Sequence, residues 1–522
     1  MSHSKRRWED WGQTLGDRQI ILGLSLAALF LFCLNLGNMP LRDWDEGTRA
    51  LVAREIFRTG NWLHPTQFGD PYLLKPPLMD WLVASSYTLG GVNEWTSRLP
   101  GAVGSALGVP LLYCLGRQLF QGRSPALWSV LVYLTLLPVV RHGRLLMLDG
   151  LVLTALIFSL WCLLKAQKSP IWGLGFGLGL GIIAFVKGLL MLPLGAIALL
   201  FVIWDRRWFI FKNLYIWLGL GLGACPVLLW YGAQIQHYGA TFIQVHFFNQ
   251  GFDRVASTVE SHQEPPWFYL LEIAKYTAPW LFFLPQSYQY LWQIRQTSSS
   301  RLILTGSIFY LGLISAMGTK LPWYVMPIYP FLALALGHYL AKLWDAPPRK
   351  AMFLRGLFGL LAIAALGGGI YLYFTDPQVP LILMALTLGG MFAVTTWLWP
   401  RPQALYILVG GMYCGLALLF CSQAWVWEIN EAFPVKPIAA IIRAETPADA
   451  IIFTTFDYSR PSLDFYGDRP VRPQPLEAPV GEQYWLIHQD LLTEQPALKE
   501  ALPPFELLGR ASGFNLVHFF PD

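Results

Sequence analysis

Apolar runs of about 20 residues recur along almost the whole of this chain, and they limit its fold more than any motif does. Inside a bilayer each backbone N–H and C=O must find a partner in its own segment, so such runs fold as helices. Composition agrees: 55% of the 522 residues are hydrophobic and 13% charged, about half the ~25% charged share of a soluble domain. The chain reads as a polytopic α-helical membrane protein. Candidate spans centre near residues 28, 108, 132, 156, 178, 196, 224, 283, 309, 332, 362, 388 and 414, about 13 in all. The pair near 178 and 196 is the least sharply separated. The first run, about 20–36, follows Lys5, Arg6, Arg7 and Arg18 as a secretory leader would. It is long for a leader, and "NLGNMP" makes a poor cleavage site, so it reads as an uncleaved helix.

Basic residues alternate between the loops. The N-terminus, Arg117 and Arg123, Lys165 and Lys168, Arg206, Arg207 and Lys212, Arg295 and Arg301, Lys342 to Arg355, and Arg401 fall on one side. The positive-inside rule makes that side cytoplasmic. An odd number of spans then puts the C-terminus outside a plasma membrane. The formal charge of +5 is an asymmetry between two faces, and no nucleic-acid partner is expected. The six cysteines lie in or beside apolar runs without a metal-ligand spacing and read as small hydrophobes.

The opposite face holds two long loops, about 38–97 and 236–267. It also holds turns carrying Arg141, His142, Arg144 and Asp149, then Lys187, then Lys320. Topology has no need of these charges, so they point to a functional surface. From about Glu428 the character changes. "DAIIFTTF" (449–456), "EQYWLIHQ" (482–489) and "GFNLVHFF" (513–520) read as strands, and "KPIAAIIRAE" (436–445) as a helix. The expected division is a transmembrane domain over 1–427 and a small external α/β domain over 428–522.

In the first external loop, "LRDWDEGTRALVAREIF" (41–57) sets four charged residues between Asp43 and Arg49. Residues 46–58 read as an amphipathic helix at the membrane surface, with Ala50, Ala53 and Phe57 on one face and Arg54 and Arg58 on another. Pro76–Pro77 suit the start of a second juxtamembrane helix, about 77–89. Taken alone, Asp45–Glu46 reads as an acidic pair favouring a helix dipole, and Lys75 as a snorkelling lysine.

The order of elements carries more. "DWDEG", "AREI", "GNW", "GDPYLLKPPL" and "NEWTSRLP" are followed by "RHGRLLMLDG", "AFVKGLLMLPL", "FNQGFDR", "HQEPPWFYL" and "TKLPWYVMPIYPFLALALG". This series, over about residues 20–340, resembles the GT-C glycosyltransferases that use polyprenyl-phosphate sugars. The likeness is closest to the branch of the bacterial aminoarabinose transferases of lipid A, and more distant to protein O-mannosyltransferases. The resemblance implies a polyprenyl-phosphate-sugar donor at the outer leaflet, an inverting transfer, and a lipid, glycan or protein acceptor.

It also implies roles. Asp45 becomes the general base that takes the acceptor proton, with Glu46 in support or binding a cation. Asp149 orients the acceptor or a neighbouring base, or assists a metal; its alternative is a helix cap. The donor phosphate needs cations in a low-dielectric site, and Lys75, Lys187, Arg254, Lys320 and Arg49 are the candidates. Lys187 stands in an apolar run, where a lysine is expensive, although snorkelling from a helix end is its alternative. Tyr324 either hydrogen-bonds the donor or anchors the interface. Two departures stand out. Leu74 replaces the acidic residue that precedes the lysine of K-P-P, which puts a metal site in doubt and leaves His262 a lone metal candidate. Thr48 takes the place of the family's arginine, with Arg49 one position and about 100° further round the helix. The alternatives weighed are a transporter or lipid flippase, disfavoured because the charges collect on one face without a visible repeat, and a non-catalytic scaffold.

Overall fold

The computed structural model describes residues 16–252, 264–345, 352–426, 433–476, 481–494 and 502–520. The chain divides into two compact units. One comprises Met1–Leu36, Leu73–Met79 and Leu99–Trp425; the other comprises Gly37–Tyr72, Asp80–Arg98 and Val426–Asp522.

The first unit is helical. Among the described residues, eight helices are long and apolar enough to cross a membrane. A ninth is reached if Ser124–Leu134 and Leu137–Arg144, bent by 58°, form one span. Pro138 lies at the start of the second of these helices, where a missing N–H costs nothing and a new helix direction can begin. Every one of the expected span centres falls in or beside a helical segment, but several are not separate long helices. The runs near 178 and 196 form one stretch, Pro170–Trp204, interrupted at Gly188–Leu190, where Gly188 takes φ +57°. Asp17–Cys33 and Asp149–Lys165 have 17 residues each, about 26 Å of helix. The run near 283 is split into Trp280–Phe283 and Leu284–Gln293. The protein is a mostly helical, multi-pass membrane protein.

Two packing relationships in this unit bring Asp149 and Lys187 together. Gly173–Lys187 lies against Leu214–Tyr238, and a Cβ on Gly181 would stand 2.5 Å from the Gly223 backbone. Gly177 and Gly181 thus meet Gly219 and Gly223 as paired small-xxx-small faces, which let two membrane helices approach at backbone distance and fix where Gly173–Lys187 sits. Asp149–Lys165 packs on the other side of Gly173–Lys187. Consecutive helices joined by a short turn run antiparallel, so the first residue of one, Asp149, comes beside the last of the next, Lys187.

The second unit is α/β. Its five-stranded sheet has the spatial order Val471–Pro473, Ile452–Thr454, Gln483–His488, Phe514–Phe519, Phe505–Ala511. The first three strands are parallel and the remaining pairings antiparallel. Alternation along the strands fills two apolar layers. Ile452, Leu486 and Leu516 face the helix Val435–Glu445 through Ile438 and Ile442, while Trp485, Ile487, Val517 and Phe519 form the other layer. The outer strands Val471–Pro473 and Phe505–Ala511 and the helix Pro461–Gly467 were not legible as elements, because they are short or carry polar residues.

The same unit holds the helices Asp45–Thr59 and Leu78–Gly90. Asp45–Thr59 ends at Gly60 in the left-handed conformation, φ 71°, which frees its last N–H to bond Ile56. It is not the half-wet surface helix that its periodicity suggests. Glu46, Arg49 and Arg54 are all buried. Part of the charged face is covered by Pro461–Gly467, which packs along the helix, so its arginines find partners within the protein, although Arg58 stays half-exposed. Arg54 donates to the Phe465 carbonyl at 2.7 Å, and Arg58 spans both carboxylate oxygens of Asp468 at 2.8 and 3.1 Å.

Candidate active site

In the α/β unit the carboxylates around the D-W-D-E-G turn differ sharply in what they touch. Asp43 is buried and accepts from Arg460 Nη1 at 2.6 Å, from the Ser462 N–H at 3.2 Å and from the Ser462 hydroxyl. Glu46 is wholly buried and takes both guanidinium arms of Arg98, at 2.8 and 2.7 Å, together with the Arg42 N–H at 3.0 Å. Asp80 is wholly buried and holds Arg49 Nη1 at 3.1 and 3.0 Å. Asp45, by contrast, is half-buried and has no hydrogen-bond partner among the described residues. It opens its helix, where the positive end of the dipole supports its charge. One carboxylate in this turn is open for chemistry, and its neighbours are bound into the scaffold.

Arg49, one helical position beyond Thr48, is bound within this unit. Its guanidinium turns to Asp80 and lies over the Tyr72 ring, 5.6 Å from the centroid. Burial lowers the Arg49 pKa, yet the adjacent Asp80 carboxylate more than offsets this and leaves it raised above the ordinary value. Arg49 is a charged strut with its anion already in place.

In the helical unit, Lys187 Nζ donates to Asp149 Oδ1 at 2.7 Å, joining two residues that stand out separately in the sequence. Lys320 is buried and donates to the Met317 carbonyl at 2.7 Å. Tyr324 is half-buried. Lys75 donates to Gln250 Oε1 at 3.0 Å.

The loop carrying Lys75 is tied by a residue that sequence reading missed. His246 Nδ1 lies 3.0 Å from the Leu73 carbonyl, which fixes the proton on that nitrogen and leaves Nε2 to accept from the Tyr231 hydroxyl at 3.0 Å. The ring stacks on Phe242, with centroids 4.9 Å apart. Burial pushes the imidazole down to about 4, so it is neutral at physiological pH. A histidine within "FIQVHFFNQ" has no local signal to mark it. Arg98 and Asp80 were also missed, although an arginine near the start of the long apolar helix Glu94–Leu119 is an outlier that invites a buried partner.

Arg254 and His262 fall outside the described residues. Leu74 is exposed, and among the described residues no group of three His, Cys, Asp or Glu side chains is placed to hold a metal ion.

The chain is similar to several known proteins. Residues 74–230 match the model of the dolichyl-phosphate-mannose-protein mannosyltransferase family. The chain is 29% identical over 395 residues to the undecaprenyl phosphate-α-4-amino-4-deoxy-L-arabinose arabinosyl transferase 1 of Pseudomonas fluorescens, covering 72% of this chain and 71% of the relative. Its fold resembles that of ArnT from Cupriavidus metallidurans bound to undecaprenyl phosphate, with a TM-score of 0.79 over 95% of this chain and 97% of the other, at 18% identity. It resembles more distantly the oligosaccharyltransferase AglB of Archaeoglobus fulgidus, with a TM-score of 0.56 over 94% and 72% of the two chains at 12% identity. This run of relatives leads to one conclusion: the chain is a membrane glycosyltransferase of the polyprenyl-phosphate-sugar-dependent kind, similar to the aminoarabinose transferases.

Proposed function

We propose that this glycosyltransferase moves a sugar from an undecaprenyl-type phosphate to a lipid, glycan or protein acceptor on the outer face of the plasma membrane, with inversion at the anomeric carbon. The carrier is assigned from what the Pseudomonas relative and the Cupriavidus neighbour are named for. The observation that carries the mechanism is the contrast among the carboxylates. Asp43, Glu46 and Asp80 are compensated by arginines, and Asp45 alone of this set is half-exposed and without a hydrogen-bond partner among the described residues. A carboxylate free to accept a hydrogen bond from an acceptor hydroxyl is what general-base catalysis requires.

As the acceptor oxygen attacks, the bond from the anomeric carbon to the phosphate oxygen breaks and the lipid phosphate leaves with its charge. Lys75, Lys187, Arg254 and Lys320 are assigned to that charge, since cations in a low-dielectric site stabilise it most. Asp149 holds the Lys187 ammonium in place, and Tyr324 offers the phosphate a hydrogen bond. Glu46 and Arg49 are assigned to the scaffold of the Asp45 helix. The proposed topology has about 13 spans, with the N-terminus cytoplasmic and residues 428–522 outside, supported by the alternation of basic loops.

The test is transfer by reconstituted protein from a radiolabelled undecaprenyl-phosphate pentose or hexose to an endogenous lipid extract. The Asp45→Asn variant should insert and melt like wild type and lose at least about a hundredfold in turnover. Wild-type turnover by that variant would remove Asp45 from the mechanism.

A further inference from the structure

Trp44, immediately before the proposed base, has φ 64° and ψ −86°. A bulky non-glycine residue rarely adopts a positive φ, and such a conformation persists only where its surroundings over-determine it. Here the surroundings belong largely to one stretch of the C-terminal segment, residues 456–462.

On the N-terminal side of Trp44, the Asp43 carboxylate is held by Arg460 Nη1 at 2.6 Å and by the backbone and hydroxyl of Ser462. Arg460 is itself caged: its guanidinium carbon lies 4.0 Å from the Phe433 ring centroid, 4.9 Å from that of Tyr458 and 5.3 Å from that of Phe456. Its Nη2 also donates to the Tyr458 hydroxyl at 2.7 Å. The Trp44 ring packs on Tyr458, with centroids 5.7 Å apart. On the C-terminal side, Gly47 leaves no room for a side chain, because a Cβ there would stand 2.5 Å from the Ser462 nitrogen. The Gly47 N–H bonds the Arg42 carbonyl at 3.0 Å, closing the turn around Asp45. Contacts on both sides therefore fix the backbone that carries Asp45, while the Asp45 carboxylate itself is left free.

We infer that Tyr458, Arg460 and Ser462 are positioning residues for catalysis: through Asp43 and Gly47 they impose the strained Trp44 conformation that aims Asp45. The inference rests on the reading of Asp45 as the base. It makes the C-terminal segment part of the catalytic apparatus. A misplacement of about 1 Å in a reacting group can cost about a hundredfold in rate, so a clamp of this kind acts on turnover more than on donor binding.

The experiment uses the full chain in proteoliposomes, with donor titrations for wild type, Arg460→Gln, Arg460→Lys, Trp44→Gly and Asp45→Asn. Arg460→Gln should lower kcat by about ten- to hundredfold at unchanged donor KM. Arg460→Lys should recover part of the loss, and amide exchange over residues 43–48 should quicken in Arg460→Gln. Trp44→Gly relieves the strain and should keep or raise the melting temperature while still lowering kcat, a split that a merely structural role does not produce. If Arg460→Gln fails to fold, Trp44→Gly decides. Loss of activity in Asp45→Asn with kcat within twofold of wild type in Trp44→Gly and in folded Arg460→Gln overturns the positioning role alone. A rise in KM without a fall in kcat in Trp44→Gly makes Trp44 a substrate contact and also overturns it. Wild-type turnover by Asp45→Asn removes both readings.

Discussion

Lys187 Nζ stands 2.7 Å from Asp149 Oδ1, and the two side chains are 15% and 4% exposed. A pair this sheltered is held by mutual compensation. Removing one partner strands a buried charge at a cost of about 3–5 kcal/mol, while removing both is far cheaper. Lys187→Met and Asp149→Asn should each lower the melting temperature in detergent, and the double variant should melt above at least one of them. Additive losses would show that the pair is not coupled. Activity should behave differently: Lys187→Met and the double variant should both lose transfer, since neither supplies the cation.

Glu46 and Arg98 separate scaffold from chemistry in the α/β unit. Both are fully shielded and joined by two hydrogen bonds. Glu46→Gln leaves Arg98 without its counter-charge and should destabilise by about 3–5 kcal/mol. Asp45→Asn changes a half-exposed group with no hydrogen-bond partner among the described residues and should stay within about 0.5 kcal/mol of wild type. Thermal unfolding of the purified variants reads both. Equal losses would mean that Asp45 also belongs to the scaffold.

His246 should control donor binding through the loop that carries Lys75. Its Nδ1–H holds the Leu73 carbonyl, two residues from Lys75. His246→Ala frees that loop and leaves a buried carbonyl unsatisfied, at about 1–3 kcal/mol. Expressed in binding, that corresponds to roughly a tenfold rise in donor KM. His246→Asn should restore part of the affinity if its amide reaches the same carbonyl. A donor titration in proteoliposomes checks this, and an unchanged KM in both variants refutes it.

The sequence made some of these features visible and hid the rest for physical reasons. Lys187 stood out because an ionised group in an apolar run is costly and therefore conspicuous, and Asp149 through its charged turn and the order of motifs. Their contact then follows from antiparallel packing of neighbouring helices. The periodicity of residues 46–58 revealed a helix with a charged face, but periodicity reports only which side chains share a face. Nothing local says that Phe465 and Asp468 cover it. Glu46 and Arg98 are 52 residues apart, and Asp43 and Arg460 are 417 apart. Arginine–carboxylate pairs at such separations leave no spacing pattern to read. Trp44's positive φ is still less legible, since the residue type argues against it. The bundle showed through composition, Asp45 through the order of motifs, and the means of holding Asp45 only through the fold.

Asp464 gives the α/β unit a stability that falls with rising pH. Its side chain is 1% exposed, and burial pushes its carboxyl up to about 7, although the Val471 N–H at 2.7 Å and nearby Arg472 and Arg54 pull the other way. In the unfolded chain the same group titrates near 3.9. Between those values the folded state keeps a proton that the unfolded state has lost, so stability falls as pH rises, by at most about 1.4 kcal/mol per unit. This contribution is full below about pH 4 and gone once the pH has passed through about 7. The protein should therefore resist proteolysis in residues 433–520 better at pH 5 than at pH 8. Asp464→Asn keeps an acceptor for the Val471 N–H without an ionisable proton, so it should flatten that difference and stabilise the unit at pH 8. The check is limited proteolysis at fixed protease activity, with cleavage sites mapped by mass spectrometry. A pH dependence that persists unchanged in Asp464→Asn would assign it to another group.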